Sequence, residues 1–218
     1  MRATHEHEWE AEPGLPEALP ADEHILWQGR PDWAALAVHA FHVRKVALYF
    51  ALMIGWQMLD HQADGIDPIQ TFFDVMRAIT LSITALCLLG MVAWWSASTT
   101  LYTLTDKRIV MRVGIVLSLT FNLPLRCLRA ADMRPLGGGR ADIALQLPAG
   151  DRIGWFHLWP HQRAWHVSHP QPTLRCVPGG EAVGEMLLTA WRQAQQPAHA
   201  STSHTPATRT ASWKGAHV

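Results

Sequence analysis

Reactive chemistry is what this sequence holds least of. Its three cysteines, Cys87, Cys127 and Cys176, show no CxxC or other metal-like spacing, which leaves neither a zinc module nor a disulfide framework to read. They are expected to be reduced packing residues. No GxSxG nucleophile elbow, HExxH zinc helix or GxxxxGK phosphate loop occurs, so no catalytic residue is singled out and no catalysis is expected. Net charge is missing as well: 18 basic and 18 acidic side chains cancel. That balance offers nothing to a polyanion, and no nucleic-acid partner is expected. No cleavable signal peptide is expected either, because the polar, acidic start gives way to an apolar run only beyond position 40. That run is expected to act as its own uncleaved anchor.

Apolar length is what the chain has instead. Val43 to Leu59 carries no charge after Lys45, and Met76 to Ala97 carries none after Arg77. A hydrocarbon core of about 30 Å needs about 20 helical residues, with about 17 as a lower limit. The pair therefore reads as a transmembrane hairpin over 43–97, the shorter first span leaning on Arg44 and Lys45 snorkelling at one end. Arg30, Arg44 and Lys45 lie before or at the start of the first span, and Lys107, Arg108 and Arg112 follow the second. The connection from Asp60 to Asp74 holds four aspartates and no Lys or Arg, which predicts cytoplasmic termini and a periplasmic loop. Trp56, Trp94 and Trp95 fall near span ends, where amphipathic rings favour the headgroup layer. Within the first span Ala47, Ala51 and Gly55 recur every fourth residue and form a seam on which another helix can approach closely. That helix is either the second span, through Ala78 and Ser82, or one from a partner.

The rest divides around the hairpin. Residues 1–18, with repeated glutamates and prolines, and 197–218, rich in Ser, Thr, Ala and Pro, are expected to be disordered tails. Residues 19–42 are expected to pack on the soluble domain, with Gly29 and Pro31 ending any regular element and Asp32 capping a helical stretch. Over 98–196 the period changes to two. Strands are expected over Thr99–Thr105, Arg108–Val113, Ile115–Asn122, Arg126–Arg134, Ala141–Leu147, Arg152–Leu158 and Thr173–Val177. Glu181–Gln195 follows as a helix with Val183, Met186, Leu187, Ala190 and Trp191 on one side. The fold class is an α+β membrane protein whose antiparallel barrel or sandwich is capped by a C-terminal helix.

Candidate sites are those of a binding protein. Gly137–Gly139 lies between two strands and not before a helix, which suits a hairpin better than a phosphate loop. His157, His161, His166 and His169 lack a Cys or carboxylate companion and read as surface or interface packing. Trp155, Trp159 and Trp165 share that Pro- and His-rich passage and are candidate partner anchors. Lys107, Arg108, Arg112, Arg126 and Arg129 are candidate lipid-facing cations, each worth about 1 kcal/mol near an anionic surface. Neither span holds a mid-membrane histidine for a chlorophyll magnesium, so no cofactor is expected.

LWQGRPDW before the hairpin, then YTLTDKRIVMRVG, NLPLRCLRAADMR and GGGRADIALQL, resemble bacterial pleckstrin-homology-like (PH-like) domains tied to membrane helices. FHVRKVALYFAL with DRIGWFHLWPHQRAWHVSHPQPTLRCVP is similar to the photosynthetic complex assembly protein PuhB family of purple bacteria, over roughly Leu19 to Trp191. The resemblance implies a non-catalytic assembly factor for the photosynthetic reaction centre and core light-harvesting (LH1) complex in the inner, intracytoplasmic membrane. Its partners would be reaction-centre and LH1 antenna subunits, other assembly factors, or a second copy of the chain. The alternative is a generic membrane-anchored PH-like scaffold or anionic-lipid-sensing module.

Overall fold

A computed structural model of the chain describes residue 15 and residues 19–114, 119–148, 159–163 and 170–196. The expected tails, apart from residue 15, the strand Arg152–Leu158 and part of Ile115–Asn122 lie outside the described residues.

The period-two stretches form two antiparallel sheets. β1 (Ile25–Gly29), β2 (Leu101–Thr105), β3 (Arg108–Val113) and β4 (Leu119–Pro124) pair in that order. β5 (Ala130–Gly137), β6 (Arg140–Gln146) and β7 (Thr173–Pro178) form the second sheet. The segment before the hairpin therefore contributes a strand that sequence reading left unassigned. Gly29 closes β1 for a packing reason, since a Cβ there would lie 2.3 Å from the Trp27 ring. At the β2–β3 turn Thr105 Oγ1 accepts from the N–H groups of Lys107 and Arg108 at 3.2 and 3.0 Å.

The expected strand Arg126–Arg134 is divided. Leu125–Cys127 is a 3-10 turn, pinned where the Leu125 N–H donates to the Lys107 carbonyl at 2.9 Å, and it carries the chain from one sheet to the other. Gly137, Gly138 and Gly139 all take positive φ (85°, 61° and 70°), as the tight β5–β6 hairpin requires.

Four helices complete the described fold: α1 (Trp33–His39), α2 (Val43–Ala63), α3 (Pro68–Thr99) and α4 (Gly180–Gln195). Asp32 caps α1 by accepting from the Ala35 N–H at 2.9 Å. α4 buries Val183, Leu187 and Ala190 against Tyr102, Ile109, Met111, Ile143 and Leu145, so both sheets and this helix share one core.

The two long helices extend further toward each other than expected. The connection read as Asp60–Asp74 is reduced to residues 64–67, because Asp67 accepts from the Ile69 N–H at 3.2 Å and Pro68 starts α3, an N-cap followed by an N1 proline. At the other end α3 runs through Thr99, where β2 had been expected to begin. The Ser98, Thr99 and Thr100 hydroxyls bond back to the Trp95 and Ser96 carbonyls, satisfying groups that a helix end leaves open. Between α1 and α2 His42 adopts a left-handed conformation (φ 55°), and the axes bend by 53°. α3 is the one described helix long and apolar enough by itself to cross a membrane, whereas α2 qualifies only when joined to α1. Gln57, Asp60, His61 and Gln62 interrupt the apolar run of α2.

Candidate functional site

The helices join the sheets through a buried polar chain. The last turn of α3 leads into β2 and sets Ser96, Thr100 and Tyr102 against His161, which is completely buried. The Arg175 N–H donates to Tyr102 Oη at 3.2 Å, and Tyr102 lies 2.6 Å from His161 Nδ1. His161 Nε2 lies 3.0 Å from Thr100 Oγ1, which donates to the Ser96 carbonyl at 2.8 Å. Each hydroxyl has one proton to give, so the direction of the chain assigns the imidazole: Nδ1 accepts from Tyr102 and Nε2–H donates to Thr100. That is a neutral histidine. Burial, with the nearby Arg175 charge adding to it, pushes its pKa down to about 3. The surface or interface role expected for the histidine cluster is therefore corrected at His161, because its ring is buried against Thr100 and Tyr102 at the α3–β2 junction and its carbonyl accepts from the Thr173 N–H of β7 at 2.9 Å. His157, His166 and His169 lie outside the described residues.

One carboxylate, Asp32, locks α1 onto the second sheet, and another, Asp142, ties that sheet's strands together. Asp32 caps α1 with one oxygen and accepts from Arg140 Nε at 2.8 Å with the other. Burial opposes its ionisation, but the Ala35 N–H and Arg140 outweigh that effect and hold its carboxyl below the usual range. Asp142, almost fully buried, accepts from the Cys176 N–H at 2.8 Å and from Arg134 at 2.9 Å. Cys176 can aim its N–H this way because it sits at φ 50° where β7 slips register against β6. These residues were not singled out from the sequence. The available signal was a lone Asp in ADIALQ and a lone Arg in TLRCVP, each a charge inside an otherwise apolar strand.

Beside this joint a pocket of about 570 Å³ opens between the α1–α2 corner, β5, β6, β7 and the segment Trp159–Arg163. Lys45, Arg134, Arg163 and Arg175 line it together with Asp132 and Asp142. Arg163 donates to Asp132 at 2.6 Å and is the main reason that carboxyl stays below its usual range. The Arg175 guanidinium, 6% exposed, donates to the His39 carbonyl at 3.3 Å and reaches the Gln162 carbonyl and Asp142, both at 3.5 Å. Its Nε and the Gln162 Oε1 are buried without any partner. Trp159, 48% exposed, lies against Phe41 edge to face at 5.4 Å and forms part of the pocket wall. Trp155 and Trp165 lie outside the described residues, so of the three candidate anchors the structure places Trp159.

The small-residue seam is largely open. Ala47 is half-buried, Ala51 is exposed, and a Cβ on Gly55 would meet nothing within 4 Å. A groove of about 890 Å³ runs along Ala51, Gly55, Trp56, Leu59, Pro68 and Thr71. Ala51 and Gly55 are thus not packed on Ala78 and Ser82; the partly buried positions of α2 include Val46, Phe50, Ile54 and Gln57.

The candidate cations do not form one surface. Arg112 pairs in register with Leu101, at the end of the sheet that α3 enters. Lys107 and Arg108 occupy the opposite end, ion-paired with Asp22 and with Glu23 respectively, the second at 2.7 Å. Arg126 and Arg129 are exposed on or just after the 3-10 turn at that same end. A five-residue strand is about 17 Å long, which separates Arg112 from the other four. Among the described residues no three His, Cys, Asp or Glu side chains converge as metal ligands would.

The sequence profile of the bacterial PH domain matches residues 38–189, from the end of α1 to α4. The chain belongs to the bacterial PH domain family. A relative from Rhodobacter capsulatus, described as an uncharacterized 23.7 kDa protein in the puhA 5' region, is 33% identical over 192 residues, covering 85% of this chain and 87% of the relative. No solved structure matches. In this bacterial PH domain protein the matched region spans both long helices and six of the seven described strands.

Proposed function

We propose that this protein is a non-catalytic assembly factor for the photosynthetic reaction centre and core light-harvesting complex, of the PuhB type, anchored in the inner, intracytoplasmic membrane of a purple bacterium by a two-helix hairpin with cytoplasmic termini. The observation that carries the anchoring is the unburied apolar surface of α2 and α3. Leu48, Leu52, Trp56, Leu59, Ile69 and Phe73 are 61–69% exposed, and a patch of that extent in water marks a membrane or protein interface. The link to photosynthesis rests on the sequence resemblance, together with the relative's place in the puhA 5' region. The groove at Ala51 and Gly55 suits a transmembrane helix of an antenna or reaction-centre subunit, because close backbone approach requires small side chains. Trp159 offers a half-exposed ring at a separate pocket, by the α1–α2 corner. Bringing subunits together requires no reaction, and none is assigned.

The test is genetic. Ala51→Leu fills the groove and Trp159→Ala removes the ring; each is expected to leave the protein at normal abundance in the membrane while lowering near-infrared absorbance of the assembled core complex. Wild-type absorbance in both variants at normal abundance overturns the assembly reading.

A further inference from the structure

A groove of about 540 Å³ lies between β5 and α4, with Leu128, Ala131 and Met133 on one wall and Leu187, Leu188 and Trp191 on the other. Trp191 Nε1 donates to the Leu128 carbonyl at 3.1 Å and ties the walls together. They meet again at Gly184, where a Cβ would lie 3.0 Å from Met133 Sδ. Between these contacts Ala131 is too small to fill the gap. Met133 is 47% and Leu188 42% exposed, apolar surface whose burial by a partner is favourable.

Charge and chain length say what covers it. The groove's only charged lining residues are Glu181 and Glu185, both exposed and, among the described residues, neither of them ion-paired. Segment 197–218, which continues from α4, holds Arg209 and Lys214 and no Asp or Glu. Trp213 is its one Phe, Tyr or Trp. The run from Gln196 to Trp213 can span up to about 56 Å at about 3.3 Å per residue. Back along α4 from Gln195 to Glu181 is about 21 Å, so the segment can return over the whole groove.

We propose that this groove is the docking site of the chain's own segment 197–218. The Trp213 indole sits between Leu188, Met133 and Ala131, and Arg209 and Lys214 lie toward Glu181 and Glu185. A tryptophan brings about 150–250 Å² of surface to such a site, and the Met133 thioether suits a ring edge. The exposed charges set orientation more than affinity. Because the segment is tethered, its effective concentration at the groove is on the order of millimolar, and a weak intrinsic affinity suffices. Any other segment of this chemistry must displace it to bind there.

Trypsin cuts after Arg209 and Lys214, so the segment reports its own docking. The full chain in detergent is digested, each cut is followed by mass spectrometry, and each rate is referred to that of the free 197–218 peptide of the same sequence. In the wild type both cuts are expected about tenfold slower than in Trp213→Ala, since the protease reaches only the undocked population. Leu188→Asp and Ala131→Trp, which spoil the groove from opposite walls at exposed positions, should abolish the protection with the thermal midpoint little changed. If either does not fold, the pair Glu181→Gln and Glu185→Gln, confined to exposed side chains, takes its place and should weaken the protection. Wild-type cleavage as fast as that of Trp213→Ala overturns the proposal. Protection that Trp213→Ala removes but the groove variants retain seats the ring elsewhere, the detergent surface included, and also overturns it. Protection that grows with protein concentration assigns the occupant to a second copy, against the proposal. The readout requires neither a bilayer nor a photosynthetic partner, so it stands apart from the assembly reading.

Discussion

His161 and Tyr102 stabilise the joint only in one protonation state. The neutral imidazole accepts from Tyr102 and donates to Thr100, whereas an imidazolium would present a second donor where Tyr102 already points its proton. With a folded pKa of about 3 against 6.5 for the free side chain, the unfolded chain binds the proton first. The stability this site contributes is therefore complete above about pH 6.5 and is lost as pH falls toward 3, at about 1.4 kcal/mol per pH unit. The thermal midpoint should fall as pH drops from about 6.5 to about 5, more steeply in wild type than in His161→Asn. Comparing the two isolates His161, because His39, also pushed toward neutrality by burial, contributes to both. Parallel slopes would show that His161 titrates normally. Tyr102→Phe strands the Arg175 N–H and the His161 Nδ1 together, and should cost about 2–4 kcal/mol by denaturant unfolding.

At the scale of elements, α2 and α3 place opposite demands on their small residues. Ala97, 4% exposed, packs with Ala35, Leu36 and Cys176 in a small core between α1, α3 and β7. Ala51 on α2 borders open space. Ala97→Leu should destabilise the protein by about 1–3 kcal/mol through overpacking, while Ala51→Leu should change stability by less than about 0.5 kcal/mol. Thermal unfolding in detergent compares them, and a large loss in Ala51→Leu would mean that α2 packs on another helix at that face. Element identities were legible at Asp32 before α1 and in the amphipathic spacing of α4, whereas Asp67-Pro68, the start signal of α3, fell inside the connection read as Asp60–Asp74. β1 was not legible, since ILWQG is short and its assignment as a strand depends on pairing with β2, distant in sequence.

For the whole molecule the question is which side of a membrane each part occupies. α3, at 32 residues, is about 48 Å long and exceeds a hydrocarbon core of about 30 Å. It can cross with its Asp74–Arg77 ion pair outside the apolar zone. With Lys and Arg gathered on the sheet side, the α2–α3 connection is expected to be periplasmic and the sheets cytoplasmic. An alkaline phosphatase fusion in 64–67 should be active and one after Arg112 inactive. The opposite pattern would invert the topology, and activity in neither would place both long helices on one side.

The sequence by itself determined what depends on periodicity and near neighbours: two apolar helices, a run of antiparallel strands, a closing amphipathic helix, and the seam of Ala47, Ala51 and Gly55. Hydrophobic period and helix caps act over a few residues, so they survive without knowledge of the fold. Only the tertiary structure decided which way those surfaces face and which charges meet. Ala51 and Gly55 line an open groove with Pro68 and Thr71 of α3. Lys107 and Arg108 are paired with Asp22 and Glu23, more than 80 residues away in the chain. Arg175, Gln162, Asp142 and Lys45 reach one pocket from four separate segments, a convergence that spacing along the chain does not encode.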